Sequence, residues 1–414
     1  MPSLSSSNRS QLNYKLEGTY PTGFGVPQGG NGTMLNMTSE TLDATPKYET
    51  SKQIRSDRQT VDAVLISASA QGGFNFEAQF KEYDPFIEGV FQNVFTAYGT
   101  AGVGAAVATL TLASGTVTAG VAPTGNDAFT GLSKGQWFTI KPAAGASQAV
   151  KDYFKSRPFR VSNATAPSTT VITLDAVTPI DTAKAGTSLS GASISSSRMY
   201  NANTMKSYTL EVAHEDIGQY RQYVGMIPSK MDMKLSVGSI VTGMFDFMGQ
   251  SFNLLQATSM GTPTAPQGYT PANATKGVFD VFENGASVGL TTFIKSADFS
   301  FDNSLRAQEA VGVFGNAGVA AGTIKVTGKL EVYFADQTIY QKVLTGNSSS
   351  MTIPILDVDG NGYVWHFART KYTAAKVNTG GLDQDNMLSV DFMAVLDVDP
   401  TSSTYQKTAA CYRV

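Results

Sequence analysis

The sequence predicts a mainly β protein with two β-sandwich or barrel units, each flanked by a short α-helix, plus an inserted small all-β domain. Two observations lead to this prediction. Short stretches in which apolar and polar residues alternate, a pattern typical of strands with one buried face, recur along the chain. In addition, five elements follow one another in the same order in both halves, which indicates an internal duplication.

The composition favours a subunit of an assembly. Hydrophobic residues make up 42% of the 414 residues, enough for packed cores, whereas charged residues make up only 15%, against roughly 25% in typical soluble domains. The formal net charge of −3 argues against a groove that grips nucleic acid by its phosphates. The single cysteine, Cys411, permits neither an internal disulfide nor a cysteine metal cluster.

The N-terminal residues 1–46 are polar and rich in glycine, with no sustained strand or helix period. They are predicted to form an arm or loop that is either disordered or ordered only against a neighbouring molecule. The first residues lack the apolar core of a signal peptide, and the weakly apolar run 101–113 is too short to span a bilayer. We expect neither secretion by a standard signal nor membrane insertion.

The first unit is predicted to begin with strands and a helix. Residues 61–69 are rich in apolar residues, and residues 73–80 alternate strictly, which predicts strands. Asp84 and Pro85 then open a short amphipathic helix. Its apolar residues have i, i+1, i+4, i+5 spacing: Phe86, Ile87, Val90 and Phe91.

Residues 98–197 differ in composition from their surroundings, since they are crowded with Gly, Ala, Ser and Thr. They are predicted to form the inserted all-β domain. The strand candidates are 105–112, 135–140, 159–161 and 171–174. The first unit would therefore be discontinuous, comprising residues 47–97 and 198–257. A linker rich in Pro, Thr and Gly, 258–275, leads to the second unit, 276–414.

The second unit repeats the order of the first. A strand opening with glycine, 328–334, precedes a helix, and the strand pair 351–357 and 363–367 corresponds to 208–212 and 219–224. Each unit then ends on a strand that contains Asp-Phe-Met, starting at Asp246 or Asp391. The second helix has its apolar residues at the same spacing as the first: Ile339, Tyr340, Val343 and Leu344.

Few residues are suited to catalysis. Of the two histidines, His214 lies in a predicted exposed turn and His366 alternates with aromatic residues in a strand, where a structural role is favoured. Ser287 lies in a Gly-x-Ser-x-Gly pattern, but the nucleophile elbow requires a helix after the serine, and here a strand, 290–297, is predicted. A turn is the favoured interpretation. A hydrolase using Ser287, followed in the chain by Asp357 and His366, is the remote alternative.

Two further motifs favour structural roles. Asp357, Asp359 and Asn361 fit the first positions of a calcium loop, but position 12 is Ala368 where a glutamate is required, so a tight turn is favoured. Lys52, Arg55 and Arg58 form a small basic cluster for which solvated or intersubunit salt bridges are favoured over phosphate contact. We predict no catalytic residue, no metal and no cofactor.

Several stretches resemble the tail tube (major tail) proteins of long-tailed (siphovirus-type) bacteriophages. They are TPKYETSKQIRSDRQTVDAVL (45–65), YDPFIEGVF (83–91), 216–249 and 323–344. The resemblance implies a non-enzymatic virion protein that polymerises as stacked rings around a lumen through which genomic DNA passes into the host. Two tube units per chain would give a trimer with pseudo-sixfold symmetry, with a hexamer as the alternative.

The resemblance further implies assembly in the host cytoplasm with the tape measure protein and the tail terminator and tip proteins. The arm 1–46 and the loop 307–322 are candidates for contacts between rings, and the insertion is expected on the outside of the tube. A lumen for DNA should be acidic or neutral, because lysine and arginine would bind phosphates. The candidate lumen-facing acids are Glu77, Asp232, Asp298, Asp302, Glu331 and Asp391.

Another virion structural protein, a capsid or decoration protein, is the main alternative. Capsid subunits usually carry a long spine helix, and the sequence shows no pattern for one.

Overall fold

The computed structural model describes most of the chain. The described residues are 5–20, 30–99, 103–104, 106–120, 129, 131–155, 157–176, 178–184, 186–275, 277, 280–288, 293–335, 337–402, 404 and 406–414.

Before residue 98, a 3-10 turn at Ser7–Arg9 precedes strands and one helix. These are β1 (Ser10–Leu16), β2 (Thr33–Leu35), β3 (Ser39–Glu40), β4 (Asp43–Thr50), β5 (Ala63–Glu77), α1 (Asp84–Phe91) and β6 (Thr96–Ala97). The next group is β7 (Thr109–Ala113), β8 (Thr116–Ala119), β9 (Trp137–Lys141), α2 (Gln148–Lys155), β10 (Phe159–Arg160), β11 (Val171–Thr173), β12 (Ser188–Ser190) and β13 (Ser193–Ser195).

The chain then continues with long strands. These begin with β14 (Ser197–Tyr200), β15 (Tyr208–His214), β16 (Gln219–Ser236), β17 (Thr242–Met248) and β18 (Ser251–Leu255). The remaining elements are β19 (Phe282–Glu283), β20 (Ala286–Ser287), β21 (Ile294–Asp302), β22 (Arg306–Gln308), β23 (Gly318–Ala320), β24 (Lys325–Tyr333), α3 (Thr338–Thr345), β25 (Ser348–Leu356), β26 (Gly362–Asn378), β27 (Met387–Ala394) and β28 (Ala410–Arg413).

Eight antiparallel strands form a central sheet in the order β4–β5–β17–β16–β21–β24–β27–β26. Only the C-terminal halves of β16 and β26 belong to it. Their N-terminal halves lie in a second layer, where β16 pairs with β15 and β18, and β26 pairs with β25 and β28. The prediction of a mainly β fold is confirmed, and the sheets of the described residues are open rather than closed barrels.

β16 and β26 change layers at β-bulges, which bend a strand and increase its twist. In β16, Val224 and Gly225 lie opposite the single residue Thr209, and Ser229 is an extra residue against β17. In β26, Ala368 and Arg369 lie opposite Ser350, and Thr373 is the extra residue against β27. The second bulge therefore follows the first at the same spacing in both strands.

The main hydrophobic core lies between the two layers and under α1. Phe86 of α1 packs on Phe74 of β5, with ring centroids 5.4 Å apart, and Phe76 stacks on Phe245 at 5.0 Å. Aromatic residues at alternate strand positions supply the large buried area that holds the layers together. The predicted strands 61–69 and 73–80 are one continuous strand through residue 77, β5.

Both predicted helices are present, but they are buried to different degrees. Phe86 and Val90 of α1 are fully buried, whereas Tyr340 and Leu344 of α3 are 36% and 73% exposed. The identical apolar spacing therefore predicts where each helix lies in the chain, but it does not predict how deeply the apolar side chains of the helix are buried. α1, α2 and α3 have eight residues each, so no long spine helix lies in the described part of the chain.

Residues between 98 and 195 have a hydrophobic cluster of their own, built on two small sheets, β10–β9–β13 and β11–β8–β7–β12. The prediction that this segment is all-β is wrong, because α2 packs on it through Phe154. Val150, Tyr153 and Phe154 have helical spacing, a signal that was present in the sequence. Residue 105, where the first strand candidate begins, lies outside the described residues.

The prediction that the N-terminal arm is disordered, or ordered only against a neighbouring molecule, is wrong for Ser10–Leu16. This segment is β1, which pairs along its whole length with β15 of the same chain, and Leu12 is fully buried. Leu12, Tyr14 and Leu16 alternate with polar residues, so a short strand signal existed within the polar segment. The predicted linker 258–275 also packs against the N-terminal region, because the backbone of Gly32 bonds to Met260 and Thr264.

None of the helices among the described residues is long and apolar enough to cross a membrane.

A buried ion pair joins α1 to the C-terminus. Arg413 of β28 contacts the Asp84 carboxylate, and the Tyr363 hydroxyl donates to the same carboxylate. Burial raises the pKa of Asp84, and Arg413 and Tyr363 act in the opposite direction. The guanidinium also lies over the Phe95 ring, 4.8 Å from its centroid.

Arg413→Ala is expected to lower the free energy of unfolding by about 3–5 kcal/mol, because Asp84 would remain buried without its cation. Urea unfolding followed by tryptophan fluorescence measures this. The matched control is Arg55→Ala, which removes the exposed Arg55–Asp57 pair and should change the free energy of unfolding little, because water and salt screen an exposed pair. Equal small losses in both variants would contradict the prediction.

Candidate functional site

The central sheet has one face against the core and one polar face, and all six predicted acids lie on the polar face. In β21, for example, Asp298 and Asp302 alternate with the buried Phe299 and Phe301. The strand register places the other four on the same side. The acids are Glu77, Asp232, Asp298, Asp302, Glu331 and Asp391.

Opposite charges face each other across neighbouring strands of this face. One row consists of Lys234, Asp298, Lys329 and Asp391, on β16, β21, β24 and β27. A second row consists of Asp246, Lys230, Asp302 and Lys325, on β17, β16, β21 and β24. Directly opposed unlike charges contribute roughly 0.2–1 kcal/mol per pair to a sheet.

Charges also pair along the strands. The Lys230 ammonium lies 2.7 Å from an Asp232 carboxylate oxygen, and that of Lys329 lies 3.5 Å from Glu331. The sequence analysis predicted only acids on this face and missed these lysines, although they occupy polar positions of the same alternating strands. The polar face of the central sheet carries further charged groups besides the six predicted acids. They are Asp43, Asp246, Lys47, Lys230, Lys234, Lys325, Lys329, Lys371 and Lys376. Together with the six acids these groups define the charged face, and because its carboxylates and lysines nearly balance, its net charge is close to zero.

Two carboxylates of the charged face are partly withdrawn from water. Burial raises the pKa of Asp298, while a bond from the Leu235 backbone and the lysines beside it act in the opposite direction. Burial likewise raises the pKa of Asp246, with Lys230 opposing it. For these two carboxylates the effect of burial on the pKa outweighs that of the neighbouring lysines, so their ionised forms do not stabilise the isolated chain.

The calcium-like segment is a tight turn. One Asp357 carboxylate oxygen accepts the backbone N–H of Asp359 and of Asn361, at 2.7 and 2.9 Å. The Lys141 ammonium donates to the Asn361 side-chain oxygen at 2.8 Å, and Lys155 pairs with Asp359 at 3.1 Å. Lysines of the inserted segment therefore contact the oxygens that a cation would use. Burial lowers the pKa of Lys141 to about 8, although Asp357 and Asp359 oppose this.

No group of three or more metal-ligating side chains occurs among the described residues.

Ser287 is not assembled with a base. It lies in β20, joined to β19 by a turn at Asn284 and Gly285, both with positive φ. The register runs from Ser287 through Phe282 and Thr352 to His366, three strand spacings or about 14 Å away. Gly289, which completes the motif, lies outside the described residues.

Both histidines have local partners. His366 Nδ1 lies 2.7 Å from the Thr352 hydroxyl, and burial lowers its pKa well below the usual value. The strand role predicted for His366 is confirmed. His214 is the last residue of β15 rather than an exposed turn residue, and it lies 3.0 Å from the Ser10 hydroxyl.

Two residues of the basic cluster, Lys52 and Arg55, form salt bridges within the chain. Arg55 pairs with Asp57 at 2.6 Å and Lys52 with Glu49 at 3.8 Å, all with exposed side chains.

Asp298→Asn is expected to leave the free energy of unfolding at pH 7 unchanged or to raise it by up to about 0.5 kcal/mol. Because the folded chain binds the Asp298 proton more tightly than the unfolded chain, the ionised group costs stability only above its ordinary pKa, 3.8. The advantage of asparagine should shrink as the pH falls from 7 to 4. Thermal melts of both proteins across this range measure it.

The matched control is Asp57→Asn. Arg55 lowers the pKa of Asp57, so this variant should not gain stability at pH 7. A clear loss of stability in Asp298→Asn at pH 7 would show that the charged face is needed for folding.

Comparison with known proteins gives one assignment. The model of a family described as phage tail tube protein matches residues 7–394. No curated protein is significantly similar in sequence to this chain. The family match spans both halves of the central sheet and the inserted segment. The chain therefore belongs to the phage tail tube protein family and is a structural component of the virion tail.

Proposed function

We propose that this chain polymerises as stacked rings that form the hollow tail tube of a siphovirus-type phage, through which DNA is ejected into the host. The observation that carries the proposal is the central sheet itself. Its two outer edges, on β4 and on the C-terminal half of β26, have no strand partner among the described residues. Open edges are normally covered, and ring closure covers them with neighbouring copies.

Each chain supplies two tube units. The first contributes β4, β5, β17 and β16 to the central sheet, and the second contributes β21, β24, β27 and β26 in the corresponding order. The matching bulges of β16 and β26 support a duplication, because bulge positions are specific features of a strand. Three chains would then provide six units, which favours a trimer with pseudo-sixfold symmetry over a hexamer of whole chains.

The charged face lines the lumen. A nearly neutral surface of alternating charges gives DNA no run of uncompensated lysines to bind. This explains why acids with unfavourable burial, such as Asp298, are present. It also explains why four lysines of these strands each lie opposite a carboxylate: Lys230, Lys234, Lys325 and Lys329.

The inserted segment lies outside the tube. Its Trp137 packs on Phe282, at 5.4 Å between ring centroids, in a cluster with Leu356 and Tyr412. These residues belong to the layer on the far side of the core from the charged face. Lys141 and Lys155 attach the segment to the turn that joins β25 to β26.

Axial contacts between rings involve the loop 307–322, where Val311 is fully exposed. Ser10–Leu16 of the arm is held within its own chain, so it is less suited to this role. The ends of the tube would meet the tape measure protein and the tail terminator and tip proteins, with assembly in the host cytoplasm.

Electron microscopy of the purified chain tests the ring directly. We expect hollow rings or tubes whose end-on views show threefold or pseudo-sixfold symmetry. True sixfold rings of whole chains would retain the tube and contradict two units per chain. Chains that stay monomeric at high concentration would contradict the tube.

Removing acids from the charged face should make tubes retain DNA. Tubes of the double variant Asp298→Asn, Asp391→Asn are expected to co-sediment with short duplex DNA at least threefold more than wild-type tubes at low salt. The excess should disappear as salt is raised, because binding to phosphates releases counterions.

The matched control is Asp152→Asn with Asp181→Asn, which removes two acids from the inserted segment. Its tubes should retain no more DNA than wild-type tubes. Equal retention by both variants would contradict the assignment of the charged face to the lumen.

A further inference from the structure

We propose that the free edge of β26 pairs antiparallel with residues 41–45 of a second copy, in a register that places Lys376 opposite Asp43 and Val377 opposite Leu42. This inference rests on the proposed ring and specifies the residues of each joint, the strand pairing between neighbouring copies. It derives from an equivalent strand pairing within the chain, which joins the first half of the central sheet to the second.

The internal joint is the pairing of β16 with β21, where the strands of the first half meet those of the second. Lys230 lies opposite Asp302, and Lys234 lies opposite Asp298. On the other face, Met233 lies opposite Phe299. The joint thus combines apolar pairs toward the core with ion pairs on the charged face.

The bulges define which residues of β26 correspond to those of β16. The first bulges align Val224 with Ala368, and the second align Ser229 with Thr373. With both bulges superposed, Asp232 corresponds to Lys376 and Met233 to Val377. The edge that β16 offers to β21 therefore corresponds to residues 374–378, which have no ladder partner on that side among the described residues.

The strand order defines which residues of β3 and β4 correspond to those of β21. Superposing the bulges also aligns Met248 of β17 with Met393 of β27, since these residues pair with Ile227 and Lys371. Their neighbours are Gln71 of β5 and Thr327 of β24. In turn, Gln71 lies opposite Asp43 and Thr327 lies opposite Ser300.

Asp43 therefore corresponds to Ser300, and Leu42 to Phe299. Transferring the internal register gives Ala375 opposite Ala44, Lys376 opposite Asp43 and Val377 opposite Leu42. The apolar pairs lie toward the core and the ion pair lies on the charged face, although charge played no part in the alignment. A slip by one residue in either direction would place Lys376 opposite an apolar residue, Leu42 or Ala44, and Val377 opposite a polar one, Thr41 or Asp43.

The edge of β4 is protected by its own side chains. The Leu42 N–H donates to a Glu40 carboxylate oxygen and the Ala44 N–H to that of Asp43, both at 2.8 Å. The Thr41 N–H points the other way, to the Gly73 carbonyl at 2.8 Å. Pro46 has no N–H to offer. The ladder with a second copy would therefore end at residue 45.

Pairing exchanges these carboxylate caps for backbone carbonyls of β26. The Asp43 carboxylate then becomes available to Lys376, which is exposed in the single chain. The Leu42 carbonyl already accepts the Tyr223 hydroxyl at 2.9 Å and the Arg221 guanidinium at 3.4 Å, so the longer of these two bonds would be replaced by one from the Val377 N–H.

Cysteine cross-linking tests the register. In the variant Asp43→Cys, Lys376→Cys, mild oxidation of assembled protein should link chains into disulfide-bonded oligomers on a non-reducing gel. In the proposed register this pair lies beside the hydrogen-bonded pair of Val377 and Leu42, so it is a non-hydrogen-bonded pair. The Cα atoms of such pairs are about 4.5 Å apart, which is within the range of about 4.4–6.8 Å found for disulfides. Cys411, the single native cysteine, is buried.

The matched control is Thr45→Cys with Lys376→Cys, which moves one cysteine two residues along the same face of β4, about 7 Å away. It should cross-link at least fivefold less. Equal or better cross-linking by this control would overturn the proposed register.

Charge exchange tests the ion pair. Asp43→Lys and Lys376→Asp should each lower the assembled fraction at least threefold, because like charges would be opposed, and the double variant should restore it. Both side chains are exposed, so thermal melts of the unassembled chains should remain unchanged. Wild-type rings without cross-linking or charge rescue would overturn this joint alone, whereas the absence of wild-type rings would overturn the proposed function.

Discussion

The two bulged strands, β16 and β26, are the constraint on which the rest of the structure depends. Each strand is hydrogen-bonded in both layers, so the layers cannot slide or separate without breaking a ladder. The aromatic core fills the space that the bends enclose. The free edges of the central sheet and the orientation of its charged face follow from where these strands change layers.

Local patterns predicted the elements well where alternation was strict. The Gly-Phe-Asn-Phe stretch at 73–76 identified β5, and apolar spacing identified α1 and α3. The same reasoning missed β1 and α2, because each is a short apolar pattern inside a polar segment. In these cases composition over a long window outweighed a signal carried by three residues, such as Leu12, Tyr14 and Leu16.

The candidate site was predicted in part. Polar positions of alternating strands placed the acids on one face, but their partners come from other strands. Lys234 and Asp298 are opposite each other only because β16 pairs with β21, and no local pattern specifies which distant strands pair. The two open edges were beyond sequence reasoning for the same reason, since an edge is defined by the strand order of the whole sheet.

The carboxylate caps on Leu42 and Ala44 bear on how readily rings would nucleate. Exchanging one hydrogen bond for another changes the free energy little, so a single joint would gain mainly from its few apolar contacts and one ion pair. A pair of chains would then dissociate easily, whereas a closed ring would lose several joints at once. Assembly of this kind would rise steeply with protein concentration, because rings gain stability only once several joints form together.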